Sequence, residues 1–200
     1  MNWYENDIKK LETLKGTLPY TPETIFYGSS SIRLWENMYE DLKPLHPVNL
    51  GFGGSTLAAC VWFFDRIMEP YAPRHIVCYA GENDLGDGRT AEEVYIFFRQ
   101  FQACLQKRFP GVPLTYISIK PSIARWNLEK TVRYTNQLIK QEIEKSTNQY
   151  YLDIFSHMLN ANGQPEKELF EKDGLHLSRK GYLIWKEALL RHLGPFFKIS

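Results

Sequence analysis

Two hundred residues, 44% hydrophobic and 24% charged, fit one compact domain over residues 1–200 that can bury a continuous core, and a second domain is not required. A formal net charge of +1, from 24 basic and 23 acidic residues interspersed along the chain, leaves neither a basic stripe for nucleic acid nor an acidic tail. No apolar run is long enough to span a bilayer, and the start Met1 to Lys10 lacks the basic opening and apolar core of a secretory signal, so the expected location is cytoplasmic.

Helical spacing of apolar residues predicts an N-terminal helix over about 3–14, followed by a loop through Gly16 and Pro19 to Pro22. Thr24 to Tyr27 reads as a short strand ending at Gly28, and Ser31 to Tyr39 as a helix with Ile32, Trp35 and Met38 on one face. A second strand over Pro47 to Leu50 leads into Gly51, Gly53 and Gly54, with an apolar helix at Leu57 to Met68 behind them. The remaining elements are a strand at His75 to Tyr79, a helix at Thr90 to Phe109, a strand at Pro113 to Ile119, a helix at Asn127 to Lys145, a strand at Tyr150 to Ile154 and a last helix at Ser178 to Leu193.

Short apolar strands alternating with helices predict an α/β fold, a three-layer α/β/α sandwich around a mostly parallel five-stranded sheet. In such a sheet ligands bind beyond the carboxyl ends of the strands. Cys60, Cys78 and Cys104 are odd in number, widely separated and set in apolar stretches, which predicts buried free thiols in place of a disulfide frame or a metal site.

Three small or polar turns follow the first three strands: Gly28-Ser29-Ser30-Ser31, Gly51-Phe52-Gly53-Gly54-Ser55 and Gly81-Glu82-Asn83-Asp84. A serine hydroxyl at a helix start gains exposed backbone N–H groups and the positive end of the helix dipole, both of which stabilise an oxyanion beside it. Glycine allows close backbone approach, and an Asn amide adds a neutral donor. The hydroxyl still needs a base to take its proton, and an imidazole base needs an orienting partner. Asp173-Gly174-Leu175-His176 carries both, in the loop before the last helix.

Each segment alone has a plainer reading. The Ser cluster fits a helix N-cap, the Gly-rich segment a turn or a phosphate cradle without the P-loop Lys, and Asn83-Asp84 a turn or cap. Asp173 and His176 fit a cap and a helix-entry histidine, or two metal ligands without an evident third or fourth. Order and placement together carry the chemical reading.

With these blocks in view, the chain resembles the SGNH/GDSL hydrolase family, named for Ser, Gly, Asn and His in four separated segments, from about Ile25 to the final helix. The resemblance implies Ser30 as nucleophile, His176 as general base and Asp173 as its orienting acid, with an oxyanion hole from the N–H groups of Ser30 and Gly54 and the Asn83 amide. It also implies the family's flavodoxin-like sandwich, with no metal and no cofactor. Ser29 stands where the family's Gly-Asp-Ser commonly has Asp, and Ser55 where Asp often follows the second block. Aligning on Gly28 places the nucleophile at Ser30 in preference to Ser31.

The expected activity is ester hydrolysis of a small acyl group, acetyl or short-chain, on a small molecule or a carbohydrate, because no sizeable insertion provides a lid for long lipids. An acyltransferase or thioesterase would use the same residues, and a non-catalytic ligand-binding module would keep the fold without the chemistry. Lys120, Arg125 and Trp126, in the loop beyond the fourth strand, are expected substrate contacts, the alternative being a solvated loop with a partly buried Trp. Aromatic residues at helical spacing, Trp62 to Phe64 among them, read first as core. Patterning does not disclose an oligomeric state.

Overall fold

The computed structural model describes residues 1–198. Its five strands, β1 (Thr24–Gly28), β2 (Pro47–Gly51), β3 (His75–Tyr79), β4 (Leu114–Ile117) and β5 (Gln149–Leu152), form one parallel sheet in the order β2-β1-β3-β4-β5. The helices are α1 (Glu5–Leu14), α2 (Ser30–Arg33), α3 (Met38–Asp41), α4 (Leu57–Met68), α5 (Glu82–Gly86), α6 (Ala91–Arg108), α7 (Glu129–Ile143) and α8 (Arg179–Phe197), with 3₁₀ turns between them.

β1 and β3 are buried at every position, as expected of strands covered on both faces, which read as apolar runs without polar alternation. Successive side chains separate into two cores. Ile25, Tyr27, Val48, Leu50, Ile76 and Cys78 pack under α1, α4, α6 and α7. Phe26, Val77 and Tyr79 face the other way, onto Trp35, Trp185 and Leu189 from the α2–α3 segment and α8. The sandwich is therefore the three-layer arrangement its sequence predicts.

The strand order has one functional consequence. The chain moves outward from β1 to β2, then returns across β1 to β3, so a topological switch lies between β1 and β3 and opens a crevice at their carboxyl ends. Gly28 pairs with Gly51 on one side and Tyr79 on the other. Loops after β2, β1 and β3 are thereby neighbours.

Three elements depart from the sequence-based boundaries. The helix expected over Ser31 to Tyr39 is broken into α2 and α3. Between them Trp35 is buried, gives its indole N–H to Asp41 Oδ2 at 2.9 Å and stacks on Tyr182 at 5.1 Å; a satisfied buried indole outweighs a few helical hydrogen bonds. The last helix continues past Gly194 and Pro195 to Phe197, with Phe196 packed edge-on against His75 at 4.9 Å. Finally, α5 forms directly after β3, where the sequence reads only as a turn.

Cys60 and Cys78 are buried, Cys104 is half-buried, and all three are free thiols. Trp62 is 70% exposed while Phe63 and Phe64 are core, since they turn to opposite sides of α4. Among the described residues no helix is long and apolar enough to cross a membrane.

Candidate active site

Backbone geometry at the end of β1 brings Ser30 to the crevice. Gly28 has φ +139°, and a Cβ there would stand 1.9 Å from the Tyr79 carbonyl oxygen; only glycine permits this close approach to β3. Ser29 then donates its N–H to that same carbonyl at 2.9 Å, and Ser30 begins α2. Of the three serines, Ser29 and Ser31 are buried, and Tyr182 holds the Ser31 carbonyl at 3.0 Å. Ser30 alone is partly exposed.

A small hairpin carries the other two residues. Phe170 bridges to Leu177, the Glu171 N–H donates to His176 O at 2.8 Å, and Gly174 turns the chain with φ +64°. At its tip, Asp173 Oδ1 accepts the N–H groups of Leu175 and His176, both at 2.9 Å, and Asp173 Oδ2 lies 2.6 Å from His176 Nδ1. Those two backbone donors, joined by the imidazole, hold the Asp173 carboxyl down at about 2 despite a small opposing effect of burial. The other imidazole nitrogen, Nε2, is 3.2 Å from Ser30 Oγ. Residues 146 positions apart thus meet in a hydroxyl–imidazole–carboxylate relay.

Two further segments carry N–H groups free of partners among the described residues. Gly54 has φ +68° and open space where a side chain would be; its N–H, like that of Ser30, has no hydrogen-bond partner among the described residues. Asn83, on α5, donates from Nδ2 to Ser55 O at 3.0 Å, which leaves one N–H over. Asp84 ties the same two loops together by accepting the Leu57 N–H at 2.8 Å. Tyr4, which precedes α1, also reaches this loop and donates its hydroxyl to Gly54 O at 2.9 Å. Nothing in the spacing of the sequence pointed to Tyr4, because its partner is 50 residues away.

The loop after β4 differs from expectation. Lys120 is buried, 1% exposed, and its Nζ donates to Glu82 Oε2 at 2.6 Å and to Ser122 Oγ at 2.8 Å. It is an internal ion pair and does not face the crevice, which corrects its expected role as a substrate contact. Glu82 also accepts the hydroxyls of Tyr79, at 2.8 Å, and Ser122. Burial alone would raise the Glu82 carboxyl, but the ammonium and these hydrogen bonds outweigh it and hold it below the usual range. Burial in turn pulls Lys120 below an ordinary lysine, against the pull of Glu82. Arg125 turns inward too, its Nη1 donating at 3.1 Å both to Glu82 O and to Asn83 Oδ1. Trp126 is half-buried and packs against the α4–α6 core, the plainer of the two roles the sequence leaves open. Glu82 went unanticipated because a carboxylate beside Asn and Asp reads as part of a polar turn.

Beside His176 lies a cleft of about 300 Å³, walled by Leu34, Trp35, Leu177 and Tyr182 together with the polar Glu36, Asn37, Glu171 and Arg179. Among the described residues, no group of three potential metal ligands is assembled.

Comparison with known proteins finds relatives over most of the chain. The bovine (Bos taurus) platelet-activating factor acetylhydrolase IB subunit alpha1 is 26% identical over 170 residues, 80% of this chain and 70% of the relative. A solved structure from Streptococcus pneumoniae, named for platelet activating factor, superposes with a TM-score of 0.82 at 21% identity, covering 96% of this chain and 95% of the other. An acetyl-xylooligosaccharide esterase from Geobacillus superposes with a TM-score of 0.69 at 16% identity, covering 87% and 95%. At such identities the structures speak for the fold alone. The model of the GDSL-like lipase/acylhydrolase family matches residues 21–184, and with four-fifths of its length inside that match the chain belongs to this family.

Proposed function

We propose that this protein is a serine esterase that removes a small acyl group, acetyl or short-chain, from a small-molecule or carbohydrate ester. The observation that carries the reading is the relay itself, Ser30 Oγ to His176 Nε2 at 3.2 Å and His176 Nδ1 to Asp173 Oδ2 at 2.6 Å.

In the proposed cycle Ser30 attacks the ester carbonyl as His176 Nε2 takes its proton. Asp173 fixes the tautomer with the proton on Nδ1 and remains anionic, so it stabilises the imidazolium that forms. Its carboxyl, held at about 2, keeps that charge throughout the neutral range. The tetrahedral oxyanion is met by the free N–H groups of Ser30 and Gly54 and by the second N–H of Asn83. His176 then protonates the leaving alcohol, and a water deprotonated by the same imidazole attacks the acyl–Ser30 ester, breaking its bond to Oγ, releasing the acid and returning the proton to Ser30.

We take the cleft beside His176, about 300 Å³ and at the lower end of the range for small-molecule sites, as the place of the acyl group, which favours a short chain. The relatives' names support acetyl: one is an acetylhydrolase subunit and one neighbour is an acetyl-xylooligosaccharide esterase.

The test is hydrolysis of p-nitrophenyl esters, from acetyl to long acyl, by wild type and Ser30→Ala, with folding of both followed by circular dichroism. Wild type should cleave the short esters and folded Ser30→Ala should not. Equal cleavage by both would remove Ser30 as nucleophile.

A further inference from the structure

Asn83 presents a difficulty for any role as an oxyanion donor. Its amide has an oxygen and a nitrogen on nearly superimposable positions, and rotated by half a turn it would aim a lone pair at the developing negative charge. Something must fix its orientation, and the chemistry of its neighbours does so from both ends. Ser55 O is an acceptor only, so the amide group facing it, at 3.0 Å, must be Nδ2. A guanidinium has donors only, so the group facing Arg125 Nη1, at 3.1 Å, must be Oδ1.

Arg125 is itself firmly placed. Nη1 also donates to the Glu82 carbonyl at 3.1 Å, and the guanidinium lies against Gly86. A Cβ on Gly86 would stand 2.6 Å from Cζ of Arg125 and 2.7 Å from both Nε and Nη2, so the seat exists only because residue 86 has no side chain. One residue earlier, the Ala124 N–H donates to Gly174 O at 3.0 Å, inside the turn that carries Asp173 and His176. The same short loop therefore grips the Asn83 side chain and the Asp173–His176 hairpin.

We propose that Arg125, seated on Gly86, is a positioning residue for ester hydrolysis: it fixes the Asn83 amide with Nδ2 toward the oxyanion and polarises it through Oδ1. This rests on Asn83 being an oxyanion donor. A positive charge on Oδ1 draws electron density from the amide and strengthens the N–H groups as donors. Arg125 acts through Asn83 and does not touch substrate, which replaces the substrate-contact role expected from its sequence position.

The experiment is a double-mutant cycle on the full chain, with kcat and KM for p-nitrophenyl acetate measured for wild type, Asn83→Ala, Arg125→Ala and the double variant, and thermal unfolding recorded for each. Asn83→Ala should lower kcat by on the order of 10²–10³. Arg125→Ala should lower kcat by about 10- to 100-fold with KM little changed, and added guanidinium should restore part of the loss. In the Asn83→Ala background, removing Arg125 should cost no more than about twofold. Gly86→Ala, which keeps the arginine but fills its seat, should show the same kcat-selective loss and covers the case in which Arg125→Ala fails to fold. An equal factor in both backgrounds, or a rise in KM with kcat unchanged, would overturn the proposal while leaving Asn83 in its role. Full kcat in Asn83→Ala would instead overturn the oxyanion assignment, and this proposal with it.

Discussion

Removing the Lys120 ammonium tests whether the buried Glu82–Lys120 pair is the internal anchor described above. In Lys120→Met the stem is replaced by one of similar length, but the side chain loses a 2.6 Å bond to Glu82 Oε2 and a 2.8 Å bond to Ser122. Glu82, 6% exposed, is left as a buried carboxylate whose nearest cation is Arg125 Nη1 at 4.0 Å, and breaking a buried pair from one side costs about 3–5 kcal/mol. Two donors remain, the hydroxyls of Tyr79 and Ser122, which places the expected cost at the lower end, about 3 kcal/mol near neutral pH. The cost must also depend on pH. With Lys120 gone and only the more distant Arg125 left, burial should raise Glu82 in the folded state above its unfolded value, so the folded variant binds the extra proton. The penalty is then full above that raised value and shrinks as pH falls through it, by about 1.4 kcal/mol per unit. Urea unfolding of wild type and Lys120→Met at about pH 7 and about pH 5 measures both quantities, and Glu82→Leu combined with Lys120→Met should recover much of the lost stability because neither charge is then stranded. A cost below about 1 kcal/mol that does not change with pH would show that Lys120 is solvated, and the internal ion-pair description would fall.

Two further outcomes follow from the same geometry. Tyr4→Phe removes the hydroxyl that holds Gly54 O; it should cost about 1 kcal/mol in unfolding and lower kcat in the ester assay, and an unchanged kcat would show that Gly54 needs no such support. Asp41 is held at about 2 by Arg179, whose hydrogen bonds outweigh burial, with help from the Trp35 indole. Since its folded value lies below the unfolded one, its stabilisation is complete above about pH 4 and is lost as pH falls toward 2; melting curves of wild type and Asp41→Asn should therefore converge across that window, and a gap that stays constant down to pH 2 would refute the linkage.

Much of the fold was legible because a parallel sheet covered on both faces writes its strands as short apolar runs. Thr24–Tyr27 and His75–Tyr79 stand out on that ground, and the α4 boundaries Leu57 and Met68 coincide with an apolar stretch opened by a Thr56 cap. What was not legible depended on partners distant in the chain. Trp35 breaks a helix to reach Asp41 and Tyr182, and α8 is prolonged by the contact of Phe196 with His75. At the site, composition singled out the short segments and the family resemblance the positions within them, and the structure brings Ser30, His176 and Asp173 together. Lys120 was named for the right loop and the wrong direction, since a cation after a strand reads the same whether it faces solvent or turns inward. The carboxylate that draws Lys120 inward is 38 residues earlier.

The Asp173–His176 turn is almost wholly self-contained: both carboxylate oxygens are satisfied within the next three residues, and the imidazole is oriented before any distant strand takes part. Carboxylate and imidazole thus form a local cassette, which Ala124 also holds from outside by donating its N–H to Gly174 O. Damage to the hairpin's base, at the Phe170–Leu177 bridge, would shift that cassette without dismantling it, leaving a correctly oriented imidazole out of reach of Ser30. A variant altered there would keep its His–Asp pair while losing the approach to Ser30, so a lost His176–Ser30 contact would not imply a lost pair.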